Sequence, residues 1–319
     1  MGEGTQPAII TGTRAWIGFR LDPNGKYRLI AHIDETWVSD YAYAMVTNTL
    51  AIPKPFLRWA GSKRKQIPRL REFWSADYDR YVEPFAGSAC LFFSLCPEKA
   101  LLADKNADLI ETFELVRDDP SRVYDRVVAI PRTKERYYLE RARNPAKLTP
   151  IQRAVRFIYL NRNCFNGIYR TNRSGQFNVP FATSRAGAFV TRDEFIEASK
   201  SLQNATLRSW DFGTTLRYVR EGDFVYLDPP YAVESRRIFR EYGERPFCAK
   251  DLCRLSEHLT KIHNRNAAFL ISYADCREAR ALAENWFSYR MRVRRHVAGF
   301  AGARRAAYEL LITNIKISE

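Results

Sequence analysis

The chain predicts an α/β fold in which a doubly wound, Rossmann-like sheet carries an inserted, mainly helical segment with a β-hairpin. Three observations lead there. From Pro55 onward, short apolar runs alternate with amphipathic helical stretches, the rhythm of a doubly wound sheet. Two of those runs end on residues suited to chemistry. Tyr81-Val82-Glu83-Pro84 enters the small-residue turn Phe85-Ala86-Gly87-Ser88-Ala89, and Phe224-Val225-Tyr226-Leu227 closes on Asp228-Pro229-Pro230-Tyr231. Finally, residues 121–205 break the alternation between two strands, which marks an insertion.

Taken in order, residues 1–52 form an extension of different character. Trp16 to Leu21 and Lys26 to Ile33 flank Asp22-Pro23-Asn24-Gly25, a β-hairpin pattern. Residues 53–120 and 206–319 are expected to make the sheet domain, with strands near 81–84, 100–104, 206–212, 224–227 and 268–272. Two last runs, 289–294 and 308–313, flank a basic loop with glycine and predict a closing hairpin. Within the insertion, Thr149 as N-cap, Pro150 at the first position and Gln152 completing a capping box start a helix whose apolar face holds Ala154, Phe157 and Ile158.

The composition sets the partners. Of 319 residues 46% are apolar, enough for a large core. No run approaches the roughly 18 apolar residues of a membrane span, and the N-terminus has no signal-peptide pattern, so a soluble, cytoplasmic monomer is expected. Net charge is +15, from 51 basic and 36 acidic residues. Its distribution matters more: Arg141 to Arg192 and Asn285 to Tyr308 contain no Asp or Glu at all. A solvated helix face interleaves both signs, so two long one-sign stretches imply a polyanion such as nucleic acid. The six cysteines form no CxxC pair and read as reduced thiols. Cys248, Cys253, His258 and His263 recur every fifth residue, which turns side chains about 140° around a helix, so no metal is expected.

Each motif carries a specific chemistry. A strand ending on Asp228-Pro229-Pro230-Tyr231 puts an acid, a rigid carbonyl and a ring at the edge where open sheets bind ligands. Asp228 and the Pro-Pro carbonyl can accept both hydrogens of one exocyclic amine, pulling its nitrogen toward tetrahedral geometry, while Tyr231 stacks on the base. That chemistry transfers a group to the amine of a flipped nucleobase. The turn at Gly87 lets a cofactor approach backbone at a helix start, and Asp104 ends the next strand where a carboxylate can take two ribose hydroxyls. Asp211 and Phe212 close the third strand, an acid for an adenine amine and a ring for its face. The segment Asn166-Gly167 to Phe181 has the turn residues of a basic hairpin, and its Arg and Asn side chains pair two-pronged with guanine and adenine edges.

Together these motifs resemble the Dam family of DNA adenine-N6 methyltransferases. The similarity runs from Pro55 to Thr313. It is carried in order by Phe56-Leu57-Arg58-Trp59-Ala60-Gly61-Ser62-Lys63, Glu83-Pro84-Phe85-Ala86-Gly87 and Ala103-Asp104-Lys105-Asn106. Then follow Phe165-Asn166-Gly167, Gly175-Gln176-Phe177-Asn178-Val179-Pro180-Phe181 and Asp228-Pro229-Pro230-Tyr231. The resemblance implies a methyltransferase sheet with S-adenosylmethionine as cofactor, held by Trp59, Lys63, Phe85, Gly87 and Asp104, with Asp211 and Phe212 beside them. It places Asp228, Pro229, Pro230 and Tyr231 at the target adenine. It makes residues 121–205 a target-recognition domain on double-stranded DNA. Candidate DNA contacts are Arg58, Phe165, Asn166, Ile168, Arg170, Asn172, Arg173 and Pro180, with Arg304 and Arg305 in the late basic loop. The positions of Arg58, Ile168, Arg170 and Pro180 imply GATC or a related site. Two departures stand out: Ala89 and Ser62 replace usual glycines. The competing readings are an RNA adenine-N6 methyltransferase and a DNA-binding relative that has lost catalysis.

Overall fold

A computed structural model describes residues 53–172, 174–182, 187–231, 247–294 and 306–317, together with one strand pair near the N-terminus. The chain divides into two units, Met1–Ala51 and Ile52–Glu319. In the first, β1 (Trp16–Leu21) pairs antiparallel with β2 (Tyr27–His32), from Trp16↔His32 to Leu21↔Tyr27. This is the hairpin that the pattern around residues 22–25 predicts; those turn residues lie outside the described ones.

The second unit is built on a seven-stranded sheet: β3 (Arg80–Glu83), β4 (Ala100–Ala103), β5 (Ala205–Arg208), β6 (Asp223–Leu227), β7 (Ala268–Ala274), β8 (Phe287–Arg294) and β9 (Ala306–Thr313). Their spatial order is β5-β4-β3-β6-β7-β9-β8. The first five run parallel; β9 inserts antiparallel between β7 and β8 and forms with β8 the expected closing hairpin. The central strands read as unbroken apolar runs because both faces are covered, as parallel sheets require. The chain steps outward from β3 to β4 to β5, then returns to place β6 against the other side of β3. That reversal is the topological switch point, where open sheets leave a crevice at their carboxyl edge.

One strand end differs from expectation. β5 stops at Arg208 rather than reaching Phe212, because Asp211 accepts from Gly213 N at 2.9 Å and caps a helix over Phe212–Arg217. Trp210 leaves the sheet to stack on Tyr218, with centroids 4.8 Å apart.

Two apolar cores flank the sheet. On one face lie α1 (Ile67–Arg71), α2 (Cys90–Leu95) and α3 (Ala107–Asp118). The chain between β4 and β5 also supplies α4 (Pro120–Val128), α5 (Lys134–Ala142), α6 (Pro150–Asn163) and α7 (Arg192–Gln203). Val123, Ile158 and Phe195 of α4, α6 and α7 share this core with Tyr81 and Leu102 of the sheet. Phe56 ties the layers together: it is wholly buried, with its ring 6.3 Å from Phe93, 5.6 Å from Phe113 and 5.1 Å from Phe195. The start of α6 matches its sequence signals, with Gln152 Oε1 accepting from Thr149 N at 2.9 Å. On the opposite face pack α8 (Phe212–Arg217), α9 (Ala249–His263) and α10 (Arg277–Leu282), through Leu216, Leu255, Leu259 and Leu282. A third, small core of Tyr137, Tyr159, Leu160, Cys164 and Val179 supports the loop that follows α6. No helix among the described residues is long and apolar enough to cross a membrane.

Candidate active site

The site opens at the carboxyl ends of β3, β4 and β6. Beyond Glu83 the chain turns through Gly87 (φ 48°) and Ala89 (φ 50°) into α2. Both residues sit in the left-handed region, which explains why glycine suits position 89 and why Ala89 is held at a cost there. A Cβ on Gly87 would lie 2.8 Å from Trp59 Cδ1, so only glycine admits the indole. The turn orients Asp104: its Oδ2 accepts from Gly87 N at 3.1 Å and its Oδ1 from Asn106 N at 2.9 Å. Burial raises the Asp104 pKa, and these two backbone donors pull it back. Asn106 in turn caps α3 by accepting from Leu109 N at 3.2 Å.

A cavity of about 320 Å³ gathers every residue named for cofactor or catalysis: Trp59, Lys63, Phe85, Gly87, Asp104, Asp211, Phe212, Asp228, Pro229, Pro230 and Tyr231. At one end Phe85 stacks on Phe212 at 5.3 Å, and Phe247 closes the group at 6.1 and 5.9 Å. Asp211 Oδ1 accepts from Arg254 Nη2 at 2.6 Å as well as from Gly213 N. The Arg254 guanidinium lies 4.6 Å from the Phe212 centroid.

At the other end the lip is a charged network. Lys63 is only 5% exposed; its Nζ donates to Asp228 Oδ1 at 2.7 Å and to Tyr231 OH at 3.1 Å, and lies 3.9 Å from Glu309 Oε2. Ser272 Oγ donates to the same Asp228 oxygen at 3.2 Å, and Tyr231 OH donates to Glu309 Oε1 at 3.1 Å. Among the described residues Asp228 Oδ2 accepts no hydrogen bond, so one carboxylate oxygen stays open to a donor while the other is held. Burial alone would lower the Lys63 pKa; Asp228, Tyr231 and Glu309 outweigh it, and the ammonium stays protonated well above its ordinary range. Burial raises Asp228, and Lys63 draws it back part of the way. Behind the lip, Glu83 is buried against Tyr81 OH at 3.0 Å, and desolvation lifts its pKa far above the carboxylate norm.

The DNA-reading candidates occupy a separate stretch, 164–181, folded as a loose hairpin. Its ends meet where Phe165 N donates to Pro180 O at 2.9 Å, and Asn178 N donates to Arg170 O at 3.1 Å. Phe165 is 46% exposed, and Pro180 is exposed beside it. Asn166 and Ile168 are partly buried; Arg170 Nε donates to Asn178 Oδ1 at 2.8 Å. Asn172 spends its side chain closing the turn, its Oδ1 accepting from Ser174 N at 3.0 Å and Gln176 N at 2.9 Å. Arg58 borders this hairpin, and buried Arg58 Nη1 and Arg162 Nε have no hydrogen-bond partner among the described residues. Burial and the neighbouring Arg58, Arg132 and Arg64 bring the Arg162 pKa down to about 10. Arg173, Arg304 and Arg305 lie outside the described residues.

Sequence reasoning missed Glu309, Ser272, Phe247 and Arg254. Glu309 reaches the lip only because β9 inserts beside β7, pairing Glu309 with Ala274. No local signal announces that register. Arg254 had a partial one, the Asp251–Arg254 pair near the start of α9, whose side chains meet at 3.0 Å. The evenly spaced Cys248, Cys253, His258 and His263 sit along α9, and no three His, Cys, Asp or Glu among the described residues converge as metal ligands.

A mostly parallel sheet with a cavity at its switch point, a turn-held acid and a carboxylate-bearing lip has the architecture of a Rossmann-like group-transfer enzyme. Residues 59–297 match the profile of the D12 class N6 adenine-specific DNA methyltransferases, and the chain belongs to that family. It is 28% identical over 270 residues to the Type II methyltransferase M1.LlaDCHI of Lactococcus lactis subsp. cremoris, covering 82% of this chain and 95% of that one. The DNA adenine methylase of Serratia marcescens is 31% identical over 265 residues, covering 81% and 97%. That of Escherichia coli K12 is 30% identical over 263 residues, covering 81% and 94%. The chain is thus an adenine-specific DNA methyltransferase, a class that implies S-adenosylmethionine as methyl donor.

Proposed function

We propose that the enzyme flips adenine out of duplex DNA at a specific site and methylates N6 with S-adenosylmethionine held in the 320 Å³ cavity. The observation that carries this reading is the state of Asp228: Oδ1 is held by Lys63 and Ser272, while Oδ2 accepts nothing among the described residues. Asp228 Oδ2 and the Pro229 carbonyl accept the two hydrogens of the adenine amine, and the nitrogen lone pair is left free to attack. Tyr231, braced by Glu309 and Lys63, presents its ring to the base. Burial pushes the Asp228 pKa up, and the Lys63 ammonium opposes that push, favouring the ionised carboxylate. Positioning and electrostatics supply the acceleration, and no covalent nucleophile is required.

The cavity suits the cofactor. Gly87 and the start of α2 bring backbone to its wall, the Asp104 carboxylate is fixed there by two backbone donors, and Phe85 and Phe212 offer apolar faces to an adenine. Asp211 Oδ2, which accepts nothing among the described residues, is available to the cofactor's amine. Trp59 and Lys63 complete the set. The sulfonium, when bound, supplies the electrophilic methyl.

Residues 121–205 act as the target-recognition segment, with Arg58, Phe165, Asn166, Ile168, Arg170, Asn172, Arg173, Pro180, Arg304 and Arg305 on the DNA. The acid-free run from Arg141 to Arg192 within this segment and the buried donors of Arg58 and Arg162 support an anionic partner. The site is GATC or a relative of it. The test is modification-sensitive sequencing of DNA from a methylation-free bacterial host expressing the intact protein or Asp228→Ala. N6-methyladenine in one motif with the intact protein alone is the expected result. A soluble, DNA-binding protein that leaves no mark would overturn the reading.

A further inference from the structure

Asn161 lies within α6, where asparagine has no helical advantage, and it is 2% exposed. A buried amide must find partners. Its Oδ1 accepts from Arg58 N at 2.8 Å and its Nδ2 donates to Arg58 O at 2.6 Å. One planar side chain thus satisfies both backbone groups of a single distant residue, as a neighbouring strand would.

What Arg58 and Trp59 touch gives that grip a purpose. Trp59 forms cavity wall and is packed so tightly on the Gly87 turn that no side chain fits between them. Its ring also stacks on Tyr169 of the hairpin, with centroids 6.1 Å apart and planes 15° from parallel. On the other side, a Cβ on Gly167 (φ 64°) would collide with Arg58 Cβ, so the turn carrying Asn166 and Ile168 rests directly on Arg58. Tyr169 OH donates to Asp108 Oδ2 at 3.0 Å, just beyond the Asp104 segment. Two adjoining residues therefore touch the cofactor turn and the reading hairpin at once.

We infer that Asn161 is a positioning residue that locks the Arg58–Trp59 segment, so that cofactor and target DNA each tighten the binding of the other. The inference rests on the assignment of Trp59 to cofactor and Arg58 to DNA. Linkage makes the effect reciprocal, so one direction suffices to measure it. Asn161→Asp preserves size and the acceptor for Arg58 N–H, but sets an acceptor against the Arg58 carbonyl.

The experiment is calorimetric titration of S-adenosylhomocysteine into intact protein and Asn161→Asp. Each is titrated with and without saturating duplex carrying the motif found by methylation sequencing. In the intact protein the duplex is expected to tighten binding at least fivefold, on the order of ordinary coupling energies. In Asn161→Asp that ratio falls below about twofold, while affinity without DNA changes less than about threefold. An unchanged ratio, or an equal loss with and without DNA, would make Asn161 merely structural and sink the inference. If Asn161→Asp does not fold, Tyr169→Leu, which removes the stack on Trp59, must lower the ratio in the same way or the inference fails. An intact protein that binds the ligand with no response to DNA overturns the inference alone. One that binds no ligand overturns the cofactor assignment beneath it.

Discussion

Replacing Lys63 with methionine removes the cation from the lip while keeping a long apolar stem. In the folded protein its Nζ sits 2.7 Å from Asp228 Oδ1, and Glu309 adds a second negative charge 3.9 Å from that nitrogen. Unit charges about 4 Å apart attract by about 4 kcal/mol at an effective dielectric near 20. At about 1.4 kcal/mol per pKa unit, that bounds the effect at roughly 3 units. Asp228 keeps 23% side-chain exposure and its Ser272 bond, so the rise falls short of that bound. The sign follows from the chemistry. In the proposed mechanism ionised Asp228 accepts the amine hydrogens; burial already raises its pKa, and losing Lys63 raises it further. Single-turnover methyl transfer, followed against pH at saturating DNA and cofactor, should therefore show the acidic limb moving to higher pH. Intact and variant rates converge at alkaline pH and separate as pH falls. Lys63→Arg, which keeps the charge, should leave the limb near its original place. A Lys63→Met limb displaced by less than about 0.3 unit would refute the idea that Lys63 holds Asp228 ionised.

Three further outcomes are expected. Phe56→Ala removes the wholly buried ring between Phe93, Phe113 and Phe195 and should cost about 3–5 kcal/mol in urea unfolding, with the largest loss of protection in hydrogen exchange across α2, α3 and α7. Ala89→Gly relieves a left-handed alanine (φ 50°) and should raise stability by up to about 1 kcal/mol, because the gain slightly exceeds the entropy glycine adds to the unfolded chain; a lower thermal midpoint would count against strain at that turn. Arg170→Ala should lose about 1–3 kcal/mol of discrimination at one base position, measured by competitive methylation of substituted duplexes, whereas an equal loss on all sequences would make Arg170 a phosphate contact.

The sheet was legible because its strands are continuous apolar runs ending on Pro, Gly or Asp, and the acids and rings at those ends all reached one cavity. Asp211 was placed on a strand and proved to be a helix cap, because short polar side chains serve either setting and only the following Gly213 N–H decides between them. Glu309 and Ser272 stayed hidden for a different reason. Their relevance depends on which strands lie side by side, and a run such as Tyr308 to Thr313 carries no mark of its neighbour. The resemblance explained why Ala89 is unusual; only the backbone angle gave the departure a physical cost.

The candidate lip also draws on both ends of the sheet unit. Lys63 precedes the first strand of the large sheet, Asp228 follows its fourth in chain order, and Glu309 lies on the last. A chain emerging from the ribosome holds the whole turn around Gly87 and Asp104 long before it owns the carboxylate that braces Tyr231 and Lys63. A nascent or truncated fragment ending before residue 306 therefore lacks Glu309, the partner of Tyr231 and Lys63. A fragment ending there is expected to leave DNA unmethylated, which the same sequencing assay reads.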